Sequence, residues 1–203
     1  MGVYLQFWHC HPTGLADEFL AGPLEEFEAW CIETAAEFPD DLEPSVLPLL
    51  KAVQVRGAAA LVATTEGEAA AVDGLLETYF GMFCDFQRPG LKLAADPSLV
   101  RARHFRGMFG ASREAGPRGS AFDLWNFIFT GRPAGRDSSL LPYRSSDSVY
   151  HLAYWSLQEV MLLDNAFAAN LASADVEPSA LMTARNAVAR ARAKGSGLIT
   201  EVA

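Results

Sequence analysis

Hydrophobic and polar residues alternate at the start of the chain. Val3, Leu5 and Phe7 lie two residues apart, and this period of two predicts a β-strand. Shorter segments at residues 149–154 and 198–202 also have the composition of strands. The sequence therefore predicts a small sheet.

Between these segments hydrophobic residues recur every three to four positions, which predicts helices. The clearest stripe lies in residues 66–86 and consists of Val72, Leu75, Leu76, Tyr79, Phe80 and Phe83. Ser156 and Glu159 form the pattern of a capping box, so a helix is expected to start there. Further helices are predicted at residues 15–20, 23–38, from 44, 121–130 and 178–195.

Few strands among many helices predict a helix-rich α+β fold, with a small sheet and several packed helices. A chain of 203 residues can bury one sizeable core, so we expect a single compact domain. The hydrophobic share of 50% excludes wholesale disorder. Cys10, Cys31 and Cys84 lack metal-type spacing and are predicted to be buried free thiols.

Charge is strongly segregated along the chain. The first fifty residues contain ten acidic residues and no Lys or Arg, whereas residues 101–144 contain eight arginines and three acidic residues. Such segregation calls for a partner, which is either the arginine segment of the same chain or a basic surface elsewhere. The glutamates at 25, 26, 28 and 33 are expected on one solvent face of their helix, opposite Phe27.

Several partners and locations are disfavoured by the sequence. No apolar run reaches the ~20 residues of a membrane span, and no signal-like segment opens the chain, so we expect a cytoplasmic protein without a membrane partner. A pI of about 4.9 argues against nucleic acid. The sequence has no phosphate-binding loop and no nucleophile elbow, and we expect no cofactor.

Aromatic and histidine side chains suggest a ligand pocket. His9 and His11 lie at the end of the first strand. Asp123 is placed either to orient His151 as a carboxylate–histidine pair or, more simply, to stabilise the start of its own helix. Core packing, with each Trp N–H and Tyr O–H bonded to the backbone, is the simpler explanation of the aromatic residues. The candidate ligand-binding residues are Trp8, His9, His11, Trp125, Asn126, Tyr150, His151 and Tyr154.

Two further sites are weaker alternatives. Histidines at a strand end more often make hydrogen bonds than bind metal, so we expect no metal; the alternative is a site formed by His9, His11 and His151. The second is a group of arginines, which form either a site for phosphate or nucleic acid or, more simply, a solvated or internally paired face. They are Arg101, Arg103, Arg106, Arg113 and Arg118. The four glycines of residues 107–119 predict a mobile loop.

Three segments resemble a known bacterial family. They are the opening Met1-Gly2 strand with Ala21-Gly22-Pro23-Leu24, the segment Asp123–Gly131 with Trp125, and the strand-to-helix step His151–Val160. Together they resemble the YfbM-like family of unknown function. The resemblance implies a compact cytoplasmic α+β domain and no activity. A histidine that the family often has after the tryptophan is replaced here by Asn126 and Phe127. Residues 30–119 have no counterpart and are expected to form a helical insertion.

Two functional hypotheses remain open from the sequence. The first, which we favour, is a non-catalytic module whose acidic helices bind a basic protein. The second is a small-molecule enzyme or ligand-binding protein with a pocket near His9, His11, Trp125 and His151. The positions of the histidines distinguish them, because a pocket requires the rings to converge in an open cleft.

Overall fold

A computed structural model describes residues 2–84, 94, 98–101, 120–132, 151–169 and 179–202. The fold is a helix-rich α+β arrangement with a small antiparallel sheet, as the sequence predicts. In chain order the described strands and α-helices are β1 (Gly2–Cys10), α1 (Leu15–Leu20), α2 (Leu24–Glu37), α3 (Val46–Arg56), α4 (Glu66–Glu77), β2 (Ser98–Arg101), α5 (Ser120–Thr130), β3 (His151–Trp155), α6 (Leu157–Ala169), α7 (Ser179–Lys194) and β4 (Gly197–Val202).

The chain divides into two compact units. The sheet unit lies within Met1–Gly14, Lys92–Arg132 and Tyr143–Ala203, and the helical unit within Leu15–Leu91 and Pro133–Pro142. The sheet unit holds all four described strands with α5, α6 and α7, and the helical unit holds α1 to α4. A single domain with a helical insertion at residues 30–119 stays a prediction.

The sheet has the strand order β2-β1-β4-β3, and every neighbouring pair is antiparallel. Because side chains alternate along a strand, Phe7, Thr200 and Ala153 point to one face, whereas Trp8, Ile199 and Tyr154 point to the other. Phe7 is 1% exposed, which confirms the predicted alternation. β2 was not predicted, because Ser98–Arg101 is short and ends in an arginine.

Helices α5, α6 and α7 cover the face of the sheet that contains Phe7. The core on this face includes Trp125 of α5, Phe167 of α6 and Ala187 of α7. Small residues on α7 allow close approach to the sheet, since Ala184, Ala187 and Ala191 are all fully buried. Ser196, the last residue before β4, therefore follows the end of the closely packed helix α7 by two residues.

The helical unit is built around aromatic side chains. Phe27 of α2 contacts Tyr79 edge-to-face at a centroid distance of 5.0 Å, and Tyr79 contacts Phe19 of α1 at the same distance. A capping box between Thr65 and Glu68 starts α4, and the helix continues as a π-helical segment over Thr78–Phe83. The predicted stripe of this helix is confirmed, because its members are buried. The π-helical geometry and the 3₁₀ turn Gly57–Leu61 were not predicted.

Most predicted helix bounds are close to those observed. Helix α3 begins at Val46 rather than at residue 44, and helix α5 begins at Ser120 rather than at residue 121. No single described helix is long and apolar enough to cross a membrane, although the bent pair Val46–Leu61 and Glu66–Phe83 meets the length and composition criteria together.

Candidate functional sites

Trp125 is a core residue and not part of an open cleft. Its side chain is 1% exposed, and its ring contacts Phe167 edge-to-face at 5.5 Å. In the same region the indole N–H of Trp155 on β3 donates to the carbonyl of Leu124 on α5 at 2.9 Å, so α5 is fixed to β3. Core packing accounts for both tryptophans, as the sequence allowed.

The remaining aromatic candidates lie on the other face of the sheet. Trp8 and Tyr154 flank Ile199 across neighbouring strands, and both are half-buried. Asn126 of α5 is half-buried. Tyr150 and the side chain of His151 lie outside the described residues. The candidate pocket residues are thus divided between the two faces of one sheet.

His9 and His11 have separate hydrogen-bond partners. Nδ1 of His9 lies 2.7 Å from Oγ of Ser196, whereas Nδ1 of His11 lies 2.7 Å from Oγ1 of Thr13 and also accepts the Thr13 N–H at 3.4 Å. His11 is exposed, and His9 is half-buried. In the described part of the chain the two rings do not share a site.

The sheet register also separates His9 from His151. His9 pairs with Leu198, which pairs with Trp155, while His151 is aligned with Leu5 through Val202. Two strand spacings and four residues of register place the two backbones about 16 Å apart. Among the described residues no group of three His, Cys, Asp or Glu is placed to hold a metal ion.

The predicted arginine cluster falls largely outside the described residues. The backbone of Arg101 ends β2 and pairs with Gly2, but its side chain is not described. Arg103, Arg106, Arg113 and Arg118, with the loop at 107–119, all lie outside the described ranges. Pairing between these arginines and the acidic helices therefore stays a prediction.

Arg132 is the centre of a polar contact network that the sequence did not indicate. Its guanidinium carbon lies 4.2 Å from the ring centroid of Tyr154 and 4.8 Å from that of Phe127. Nη1 donates to the carbonyl of Tyr154 at 3.0 Å and pairs with Glu159 at 3.0 Å. The geometry matches a cation held between two aromatic faces.

His9, at the end of β1, is hydrogen-bonded to Ser196, which follows the C-terminal turn of α7. Ser196, which is 7% exposed, is bonded to His9, and the positive charges of Lys194 and Arg190 act on the imidazole. Burial, followed by these two charges, lowers the pKa of His9 below its ordinary value. Only His9 was a candidate from the sequence; the i, i+4 spacing of Arg190 and Lys194 before Gly195-Ser196 was the missed signal.

The helical unit carries most of the negative charge. Residues 15–84 contain 14 Asp and Glu but only Lys51 and Arg56, a formal charge of −12, whereas the other 133 residues contain 11 acidic and 14 basic residues, a charge of +3. The two values add to the −9 of the whole chain. The acidic surface is therefore a property of one structural unit.

The outward side of α2 displays this charge, as predicted. Its exposed carboxylates are Glu25, Glu26, Glu33 and Glu37. Glu28 is the exception, because it is half-buried and accepts a hydrogen bond from Gln54 at 2.8 Å. Phe27 and Cys31 occupy the inward side and are fully buried. Ile32 is 54% exposed among the glutamates. We call the outward side of Glu25–Glu37 the acidic face.

All three cysteines are buried free thiols, which confirms the prediction. Burial is the main cause that raises the pKa of Cys31 to about 12, and burial also raises that of Cys84 to about 12. Nucleophilic chemistry requires the thiolate, which is scarce at neutral pH in both cases. These cysteines therefore have the properties of core residues.

Comparison with protein-family models, with curated proteins and with solved structures finds no match for this chain. The resemblance to the YfbM-like family thus stays a prediction. Two of its segments, around Trp125 and Tyr154, contact each other in the sheet unit through the Trp155–Leu124 hydrogen bond and the Arg132 network.

Proposed function

We propose that this protein is a non-catalytic interaction module that binds a basic protein through the acidic face of α2. The observation that carries the proposal is the exposure of four glutamates on one side of a helix whose other side is anchored by Phe27 and Cys31. Such a helix presents fixed charge at no cost to the core.

Electrostatics favours recognition of a cationic partner. The charge of −12 on residues 15–84 creates a negative potential that accelerates encounter with a basic surface and weakens with added salt. Ile32 adds apolar area within the charged face, and burial of such an area contributes affinity that salt does not screen. The partner is therefore expected to present basic residues around an apolar position.

The pocket hypothesis receives less support from the geometry. Trp125 is inside the core, and His9 and His11 are bonded to different partners.

The cytoplasmic location expected from the sequence belongs to the proposal of an interaction module, since the protein and its basic partner must share a compartment.

Affinity capture with matched charge variants tests the proposal. The test variant E26Q/E33Q/E37Q removes three charges from the acidic face, and the control D40N/D41N/E66Q removes three exposed charges outside α2. Captured proteins are identified by mass spectrometry at low and high salt, and circular dichroism verifies that both variants fold.

We expect the wild type and the control to capture the same basic protein at low salt, with loss at high salt. The test variant should retain little of it, because each removed charge weakens both steering and contact. Equal capture by the test and control variants would exclude the acidic face as the binding surface.

A further inference from the structure

The outward side of α7 carries a line of uncharged residues between cations. Helical periodicity places Met182, Ala189 and Ala193 on one line, on the side opposite the fully buried Ala184 and Ala191. Met182 is 42% exposed, and the two alanines are exposed as well. The helix as a whole contains four basic residues and no acidic one. We call the line of exposed uncharged residues the α7 ridge.

Two cations beside the α7 ridge keep their charge available. Arg190 and Lys194 lie one turn apart on the same flank of the helix, and both are exposed. Arg190 donates to the neutral backbone carbonyl of Ala94 at 3.3 Å, which does not cancel its charge. Lys194 forms no ion pair within the described part of the chain, whereas Arg192 on the other flank is paired with Asp164. We call Arg190 and Lys194 the cation row.

The acidic face of α2 has the same layout with the opposite charge. Ala29, Ile32 and Ala36 recur every three to four residues along its exposed side. Glu33 and Glu37 lie one turn apart beside them, at the spacing of the cation row. Both faces are about 18 Å long, since each spans some thirteen residues with a rise of 1.5 Å per residue. The two faces therefore match in length, in small side chains and in the sign of their charge.

The charge distribution decides which faces can meet between copies of the chain. Contact of α2 with α2 would bring carboxylates together, and contact of α7 with α7 would bring cations together, so both symmetric arrangements are opposed by repulsion. Residues 15–84 carry a formal charge of −12 and the rest of the chain +3. A head-to-tail contact of α2 with α7 is the arrangement that brings opposite charges together.

We propose that α7 of a second copy of this chain docks on the acidic face of α2. Small residues on both helices let their axes approach to about 8–10 Å, so the glutamates of α2 reach the cation row. Ile32 and Met182 contribute the apolar contact area, being 54% and 42% exposed in the single chain. The inference rests on the proposed function, because it identifies the basic surface that the acidic face binds. A single pair of helices forms a small interface, and the association is therefore weak and sensitive to salt.

Analytical ultracentrifugation of the purified whole protein tests the self-association. At low salt we expect the average mass to rise with protein concentration past that of a dimer, because a head-to-tail contact leaves one unused face at each end of the assembly. High salt should return the protein to the monomer. A wild type that stays monomeric at low salt up to about 0.5 mM would overturn the inference. The capture of another basic protein by the acidic face would be unaffected by that result.

Two neutralising variants identify the faces that meet. E26Q/E33Q/E37Q removes charge from the acidic face, R190Q/K194Q removes the cation row, and each variant alone should remain monomeric. Mixed in equal amounts, the two should form a 1:1 complex and nothing larger, because each variant retains one intact face. A mixture that stays monomeric would overturn the inference.

Matched controls separate this contact from a general effect of charge. D40N/D41N/E66Q removes three exposed charges outside α2 and should self-associate as the wild type does. A189W keeps every charge but adds a bulky side chain to the α7 ridge, so it should lose self-association, and circular dichroism verifies that each variant folds. Association that is lost in the variant of the acidic face but kept in R190Q/K194Q would exclude α7 as the partner and overturn the inference, while the proposed function would stand.

Discussion

Arg132 and Glu159 form an ion pair that joins the end of α5 to the start of α6. Nη1 lies 3.0 Å from Oε1, and the other carboxylate oxygen accepts the N–H of Ser156 at 2.8 Å. Glu159 therefore completes the capping box of α6 and neutralises an arginine held over Tyr154 with the same carboxylate. One side chain serves two contacts that the sequence presents as unrelated.

Replacement of Arg132 by alanine should destabilise the protein by about 1–3 kcal/mol, because it leaves a mostly buried carboxylate without its cation. The side chains of Arg132 and Glu159 are 17% and 22% exposed, so the loss of stability should exceed that of a surface pair. Urea unfolding measures it, with R192A as the control, since the more exposed Arg192–Asp164 pair is expected to contribute about 0–1 kcal/mol. Equal losses in the two variants would contradict this interpretation.

Gly22 is expected to be sensitive to substitution. A Cβ atom there would clash with the hydroxyl oxygen of Tyr79, so Gly22→Ala should destabilise the protein by about 1–3 kcal/mol through overpacking. Gly67 in α4 has open space around it, and Gly67→Ala should be neutral or stabilising by up to about 1 kcal/mol. Thermal unfolding compares them; Y79F should relieve part of the Gly22→Ala effect, and additive losses would argue against a clash.

Thiol labelling should be slow in the folded protein. Cys31 and Cys84 are buried with pKa values raised to about 12, so few thiolates exist at pH 8. Labelling with a maleimide before and after denaturation, followed by mass spectrometry, measures the difference. Rapid native labelling at Cys31 would show that α2 opens frequently, which the acidic-face proposal does not expect.

His9 should titrate below its ordinary pKa of 6.5, owing to burial and the charges of Lys194 and Arg190. Because the folded pKa is lower than the unfolded one, the unfolded state binds more protons, and stability contributed at neutral pH is lost as pH falls below about 6.5. NMR titration of K194Q should show the His9 pKa closer to 6.5, whereas R192Q should leave it unchanged. A rise in both variants would indicate a general charge effect.

The sequence predicted the elements with strong local patterns. Strand β1, the capping box at Ser156 and the stripe of α4 all depend on residues close in the chain, and the structure confirms each of them. Strand β2 was not predicted, because Ser98–Arg101 acquires its structure from pairing with Gly2–Leu5. A short strand of this kind depends on tertiary context more than on its own composition.

The acidic face and the contact of His9 with Ser196 differ in how far the sequence predicts them. Exposure of Glu25 and Glu33 follows from helical periodicity, so the acidic face could be anticipated. The contact of His9 with Ser196 joins residues 187 positions apart, and it depends on the pairing of β1 with β4. Nothing local to either residue encodes that pairing.

The pairing of β1 with β4 has a consequence for synthesis on the ribosome. Leu5 to Cys10 hydrogen-bond with residues 197–202, so the centre of the sheet cannot form until almost the entire described chain has been translated. Strand β1 cannot pair with β4 until then, whereas the helices between residues 15 and 84 can fold earlier because their contacts are more local. During this interval the apolar side chains of β1 lack their partner strand, and chaperones that bind exposed hydrophobic segments would find their target there.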